Sequence, residues 1–166
     1  ELGHTEIACI RPISRKTPSA QRVKGYMEAL ADYGLDVNPN LLLNGRNDIE
    51  SGKEVTQKLI DSGSNFTGLV ASNDAMAIGA IRALRKNNIN VPKDVSVVGI
   101  DNISLASYIE PPLTSVSQPK YAAGIRAAKY LIDRIEKQHK DGSRVVNLKL
   151  DLTIRSSTAP PKSERN

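Results

Sequence analysis

The chain has 166 residues, a length typical of one domain or slightly more than one. Hydrophobic residues make up 39% of it and charged residues 25%, an ordinary globular composition, and the single cysteine, Cys9, excludes an intrachain disulfide. No apolar run approaches the roughly 20 residues that cross a bilayer. The formal net charge of +5 is spread along the chain, and five Tyr, one Phe and no Trp are too few rings for a surface that stacks single-stranded nucleic acid.

Strand-length apolar runs alternate with helical periodicity over the first hundred residues. The predicted strands are residues 7–10, 41–43, 68–71 and 95–100. Helices are predicted from about residue 20 to 33 with Ser19 as N-cap, from residue 48 or 49 to Gly63, and after Asn73. Strand–helix–strand alternation with short links predicts an α/β fold, a parallel sheet flanked by helices, as in Rossmann-like domains.

The pattern changes after Ile100. A loop containing Pro111 and Pro112 leads to a short strand that ends at Ser117, and a long helix is predicted over about residues 120–137. A strand is predicted over residues 145–150, with residues 152–155 as a continuation. The polar, proline-containing tail, residues 156–166, is predicted to be disordered.

Signatures of common enzyme classes are absent from the sequence. There is no G-x-S-x-G, no complete phosphate loop and no G-x-G-x-x-G. His4 and His139 lack Cys, Asp or Glu neighbours at metal-ligand spacing, and Cys9 within an apolar run is interpreted as a buried packing thiol. We therefore expect no catalytic residue, no metal ion and no cofactor.

Polar residues follow the predicted strands where these end. Asn73 follows the third strand, Asp101 the fourth and Gln118 the short strand, while Arg22 lies near the start of the helix after the first. In open α/β sheets ligands bind beyond the carboxyl ends of the strands. One cation, one anion and two amides, with no nucleophile, suit hydrogen bonding to a neutral polyhydroxylated ligand.

Structural interpretations of the same residues stay open. Asn73 is equally well explained as a helix cap. The pair of Asp101 and Asn102 is also typical of a stabilised turn, and Arg22 also fits a solvated helix position.

The chain resembles, from Leu2 to about Thr158, the effector domain of the lactose/galactose repressor (LacI/GalR) family of bacterial transcription regulators. The segments that carry the resemblance are L-G-H followed by I-A-C-I at residues 2–10, R-V-K-G-Y at 22–26, V-A-S-N-D-A-M-A-I-G at 70–79, V-P-K-D-V-S-V-V-G-I-D at 91–101, and P-P-L-T-S-V with Q-P at 111–119. They occur in the order and at the spacing of the family.

The resemblance implies a periplasmic-binding-protein-like fold of two α/β subdomains with a small effector, often a sugar or nucleobase, in the cleft between them. Its ligand-facing positions correspond here to Arg22, Asn73, Asp101 and Gln118, with weaker carry-over to Lys16 and Asn47. The family often has an aromatic ring near the position of Asn47. Its absence favours a more polar effector or a different stacking partner.

The resemblance also implies a division of the chain and a set of partners. Residues 1–118 would form the core of the second subdomain, 119–150 a helix and strand that cross to a first subdomain, and 151–166 a return segment with a flexible tail. We expect a carboxyl-terminal fragment of a cytoplasmic, homodimeric regulator without membrane contact. It would sense a sugar-like or nucleoside-like effector and reach operator DNA only through a separate helix-turn-helix headpiece.

The crossing helix would then leave an apolar stripe without its native partner. We expect this stripe to be covered by the chain's own sheet or by a second copy, because burying each large side chain contributes about 1.5–3 kcal/mol. Two other functions stay open: a piece of a periplasmic sugar receptor serving a transporter, and a small flavodoxin-like enzyme.

Overall fold

The computed structural model describes residues 2–13, 17–136 and 145–162, with only the backbone of residues 17–19. The strands are β1 (Ile7–Pro12), β2 (Leu42–Gly45), β3 (Gly68–Ala71), β4 (Ser96–Ile100), β5 (Thr114–Ser117) and β6 (Asp151–Thr153). The helices are α1 (Thr17–Asp32), α2 (Ile49–Asp61), α3 (Asp74–Lys86) and α4 (Lys120–Glu136). Two short 3-10 turns lie at Pro39–Leu41 and Ser104–Ser107.

The six strands form one sheet in the order β2-β1-β3-β4-β5-β6. The first five are parallel, and β6 runs antiparallel to β5. The predicted α/β fold with a parallel sheet flanked by helices is confirmed. Because parallel strands share their direction, the carboxyl ends of β1 to β5 lie along one edge of the sheet.

The core lies on both faces of the sheet, with different helices on each. Ala8 and Ile10 of β1 belong to the large cluster that α2 and α3 cover, whereas Ile7 and Cys9 pack with Tyr26 of α1. This division follows the two-residue period of a strand. Cys9 is a buried packing thiol, as predicted, and burial raises its pKa to about 12.

The start of α1 differs from the prediction. The helix begins at Thr17, so Ser19 lies within the helix and the N-cap prediction is wrong. Pro18 is the second residue of the helix, and a proline is tolerated in the first turn because the N–H groups there have no partner within the helix.

The predicted strand over residues 145–150 is wrong. No described strand pairs with these residues, and the pairing with β5 begins only at Asp151 opposite Ser117. Apolar composition alone does not form a strand, because the backbone needs a partner with free N–H and C=O groups.

The disorder predicted for residues 156–166 is also wrong over its described part, which ends at Lys162. The Oγ of Ser157 is buried, donates to the carbonyl of Val97 (2.6 Å) and accepts from the amide of Thr114 (2.8 Å). The amide of Val97 in turn donates to the carbonyl of Ser157 (2.8 Å). Since β4 and β5 pair only from Val98 onward, the tail satisfies the backbone groups at the start of β4.

Helix α4 occupies the predicted position but buries none of its residues. Tyr121 is 83% exposed and Ile135 69%. The chain's own sheet does not cover this stripe, so that part of the expectation is wrong. Covering by a second copy stays a prediction.

Candidate functional site

The predicted site residues are held at the carboxyl edge of the sheet by strand-like backbone hydrogen bonds. The amide of Ser72 donates to the carbonyl of Ile10 (2.8 Å), one residue beyond the end of β3. The amide of Asp101 donates to the carbonyl of Val116 (3.0 Å), one residue beyond the end of β4. The first bond fixes the end of β3 against β1, and the second fixes the end of β4 against β5.

The carboxylate of Asp101 is the meeting point of two other predicted residues. Its Oδ1 accepts hydrogen bonds from Nε2 of Gln118 (2.6 Å) and from Nη2 of Arg22 (3.2 Å). The side chains of Arg22 and Asp101 are 29% and 28% exposed. This half-buried ion pair is open to a ligand from the solvent side.

Arg22 spans two strand ends. Its Nη1 donates to the carbonyl of Ser72 at the end of β3 (2.6 Å), while Nη2 reaches Asp101 at the end of β4. The alternative of a solvated helix residue is therefore wrong, because both ends of the guanidinium fork are bound.

Asn73 is the cap of α3, as one of its two interpretations holds, whereas its role in binding a ligand stays a prediction. Its Oδ1 caps α3 by accepting from the amide of Met76 (2.9 Å). Its Nδ2 donates to the carbonyl and to Oδ1 of Asn47 at 3.2 and 3.3 Å. Asn47 is exposed and adopts a φ of 67° in the loop between β2 and α2. The oxygen of Asn73 is thus committed to the helix, and its amide nitrogen faces Asn47.

The turn interpretation holds for Asn102 rather than for the carboxylate of Asp101. The Oδ1 of Asn102 accepts from Nη2 of Arg155 (2.7 Å), and its Nδ2 donates to Oγ of Ser117 (3.3 Å) and to Oγ1 of Thr153 (3.4 Å). The return segment that contains β6 is therefore tied to the same turn that presents Asp101.

One predicted residue of the site is not described, and one residue in contact with the site was not predicted. Lys16 falls outside the described residues. Lys120, which the sequence did not single out, donates from Nζ to the carbonyl of Asp101 (2.9 Å). Its place two residues after Gln118 was the only signal, because a lysine at the start of a helix is ordinarily solvated.

The described side chains gathered at this edge are hydrogen-bond donors and acceptors, a set suited chemically to a polar molecule. A pocket of about 890 Å³ opens beside Arg22, Ile100, Gln118 and Leu148, within the range of small-molecule sites. Among residues 2–13, 17–136 and 145–162, no three His, Cys, Asp or Glu side chains come together as metal ligands. Within the same residues, no helix is long and apolar enough to span a membrane.

Comparison with known proteins identifies relatives over nearly the whole chain. The family profile of the periplasmic binding protein-like domain matches residues 1–158. The HTH-type transcriptional repressor PurR of Aliivibrio fischeri is 38% identical over 160 residues, which are 95% of this chain and 47% of that protein. The HTH-type transcriptional repressor CytR of Escherichia coli is 35% identical over 159 residues, 95% of this chain and 46% of that protein.

Solved structures agree with this assignment. A sugar-binding transcriptional regulator of the LacI family from Escherichia coli, complexed with phosphate, superposes with a TM-score of 0.88 at 38% identity, covering 96% of this chain and 57% of that one. The transcriptional regulator CelR in complex with cellobiose superposes with a TM-score of 0.86 at 35% identity, covering 93% of this chain and 47% of that one. A dimeric Lac repressor with a C-terminal deletion superposes with a TM-score of 0.87 at 28% identity, covering 96% of this chain and 58% of that one.

The chain thus spans about half the length of the curated relatives it matches. Its sheet order, its strand-end residues and these matches agree, and the chain belongs to the LacI family of transcription regulators, as part of their periplasmic-binding-protein-like effector-binding domain.

Proposed function

We propose that this chain is the ligand-sensing part of a LacI-type transcriptional regulator and that it binds a small polar effector without transforming it. The observation that carries the proposal is the convergence of Arg22 and Gln118 on one oxygen of Asp101, at the ends of adjacent strands. Asn73 and Asn47 extend the site along the same edge. Lys16 is included through the family motif alone.

The donor and acceptor set favours a sugar-like or nucleoside-like effector. A carboxylate offers about four acceptor sites, so Asp101 can accept from ligand hydroxyls while it holds Arg22 and Gln118. The amide of Asn73 and the exposed Asn47 add donors and acceptors where the family often has an aromatic ring. Two of the similar structures are described as sugar-binding and as a cellobiose complex, which supports the sugar class.

The contacts of the site also support a route from the effector to the rest of the regulator. The Asp101–Asn102 turn is bonded to Lys120 at the start of α4 and to Thr153 and Arg155 beside β6. In the proposed division, residues 1–118 form the subdomain core, 119–150 cross to the first subdomain and 151–166 return. A ligand that moves Asp101 would therefore move both connections, and through them the affinity of a headpiece for its operator.

The proposal includes a homodimer that works in the cytoplasm, where operator DNA is found, and no catalysis. The exposed side chains of Leu105 and Tyr108, 45% and 83% exposed, provide an apolar surface on the loop after the site. The dimeric Lac repressor among the similar structures supports this assembly. The regulators among the relatives favour this function over a periplasmic receptor of a transporter.

The direct test is ligand binding with a substitution in the site. The chain is screened by thermal shift against ribose, cellobiose, other mono- and disaccharides, nucleosides and purine bases at millimolar concentration, and hits are titrated by calorimetry. We expect a hit whose Kd rises at least about tenfold in Asp101→Asn, since one lost charge-assisted hydrogen bond is worth about 1.5–3 kcal/mol.

The matched control is Asp94→Asn, which removes a carboxylate from the opposite edge of the sheet and is expected to leave the Kd unchanged. Equal binding by the Asp101→Asn variant, or no binding by any compound of the panel, would refute the proposed site. Conversion of the bound compound into a product, followed by NMR, would refute the absence of catalysis.

A further inference from the structure

Asp74, the first residue of α3, is a fully buried carboxylate directly behind the candidate site. Its Oδ2 accepts a hydrogen bond from the backbone amide of Ile103 (2.8 Å), and its Oδ1 accepts from the hydroxyl of Ser115 (2.5 Å). A carboxylate in the first turn of a helix is common because of the helix dipole. These two partners lie on other elements, so the dipole does not account for them.

Ser115 links Asp74 to a second backbone amide of the turn. Its Oγ donates to Asp74 and accepts from the backbone amide of Asn102 (3.1 Å). The amides of Asn102 and Ile103, the two that follow Asp101, are therefore both bound to Asp74, one through a hydroxyl and one directly.

The turn that these bonds hold is strained. Asp101 has a φ of 113° and Asn102 a φ of 47°. Residues with a Cβ rarely adopt such angles, and the angles persist only where surrounding contacts over-determine them. The same turn sets the direction of the Asp101 side chain toward Arg22 and Gln118.

The neighbouring strand leaves space for this carboxylate. Gly99 of β4 lies against it, and a methyl group at that position would overlap with Oδ1 of Asp74. Burial raises the pKa of Asp74, while the bonds from Ser115 and Ile103 oppose that rise; the nearby charge of Asp101 adds to it and that of Arg155 lowers it.

We propose that Asp74 is a positioning residue for the effector site, which holds the amides of Asn102 and Ile103 and thereby directs the carboxylate of Asp101 at Arg22 and Gln118. The role in binding rests on the proposed function, whereas the role in holding the turn does not. The two are tested separately.

The turn is tested by NMR on the chain and on Asp74→Asn, Ser115→Ala and Asp94→Asn. Asp94 is the matched control, because it also accepts a backbone amide, that of Asn90 (2.7 Å), at the other edge of the sheet. In Asp74→Asn we expect shifts of the amides of Asn102 and Ile103 and of the side-chain NH₂ of Gln118. Asp94→Asn is expected to shift Asn90 and leave those three signals in place.

The less disruptive Ser115→Ala keeps the test decisive if Asp74→Asn does not fold. It removes the bond to Asn102 and is expected to shift that amide and the Gln118 NH₂ group. If the Gln118 signal stays unchanged in every variant that folds, with only stability reduced, Asp74 merely supports its helix and the proposal is overturned.

Binding is tested with the strongest compound of the panel described above. Asp74→Asn is expected to raise its Kd about tenfold. This is the lower end of the range for removing a group that orients a ligand-binding side chain, by analogy with the residues that orient metal ligands. In the Asp101→Asn background the same change is expected to add nothing, because Asp74 acts through Asp101. Additive losses would overturn the proposal, whereas failure of every compound to bind the unaltered chain would refute the proposed function and leave the NMR test to decide the role of Asp74.

Discussion

Helices α3 and α4 have similar alternations of apolar and charged residues but opposite environments. Nine of the thirteen residues of α3 are buried, whereas none of the seventeen residues of α4 is. The difference lies in the partners. Helix α3 packs against β3, β4 and the neighbouring α2, whereas the described part of the chain buries no residue of α4. An amphipathic sequence therefore indicates that a helix can be buried, and the neighbouring elements decide whether it is.

The largest expected effect comes from truncating one branched apolar side chain in each of the two helices. Leu84→Ala removes a fully buried side chain of α3 and is expected to lower the free energy of unfolding by about 3 kcal/mol. Ile132→Ala in α4, where the residue is 51% exposed, is expected to change it by no more than about 0.5 kcal/mol. Urea unfolding followed by circular dichroism measures both.

A large decrease in the free energy of unfolding of Ile132→Ala would show that α4 is covered in solution. Sedimentation equilibrium would then show whether a second copy covers it, because the cost would depend on protein concentration.

The next effect concerns the close approach of α2 and α3. A methyl group on Gly79 would overlap with the backbone carbonyl of Ile49 and crowd the amide of Lys53. Backbone atoms cannot move aside as the end of a side chain can. Gly79→Ala is therefore expected to lower the free energy of unfolding by about 2 kcal/mol, although alanine favours helix. An unchanged midpoint of unfolding would mean that the helices are less tightly packed than described.

A smaller effect is expected from pH, with opposite signs for two carboxyl groups. Burial raises the pKa of Asp74 above its ordinary value, so the folded chain holds that proton more tightly than the unfolded chain. This contribution to stability is complete below the ordinary pKa and is lost as pH rises through the raised value. Lys162 and the bonds from Asn90 lower the pKa of Asp94 to about 2, so its contribution is lost as pH falls from 3.8 toward 2.

Unfolding of the chain, Asp74→Asn and Asp94→Asn at several pH values between 2 and 7 separates the two contributions. The difference in free energy of unfolding between each variant and the unaltered chain should depend on pH, with opposite slopes for the two variants. Parallel profiles for the two variants would contradict these assignments.

The smallest effect is expected from a glycine in α4, which contrasts with Gly79 in α3. Apart from the backbone of α4 itself, no atom of the described residues lies within 4 Å of the place that a methyl group on Gly124 would occupy. Gly124→Ala is therefore expected to add helix content and about 0.5–1 kcal/mol of helix stability, because alanine loses less conformational freedom than glycine. The helical signal in circular dichroism measures the change, and a loss of signal would indicate a close neighbour at this position.

The sequence predicted the sheet and the convergence of polar side chains at its carboxyl edge for one shared reason. Apolar runs and their spacing placed β1, β3 and β4 correctly, and the carboxyl ends of parallel strands necessarily meet at one edge. Arg22, Asp101 and Gln118 could therefore be grouped before any contact was known. Local patterns carry this information because strand direction and helix period are local properties.

The tertiary structure decided what depends on partners distant in sequence. Residues 145–150 are mostly apolar, yet no described strand pairs with them. Ser157 belongs to a polar tail but is buried, because the start of β4 lacks a strand partner on that side. The sequence shows Asp74 only as an acidic residue in the first turn of a helix. Its hydrogen bonds with Ser115 and Ile103 are visible only in the tertiary structure. In each case the free energy depends on whether a distant backbone group or side chain is left unsatisfied, and no local pattern records that.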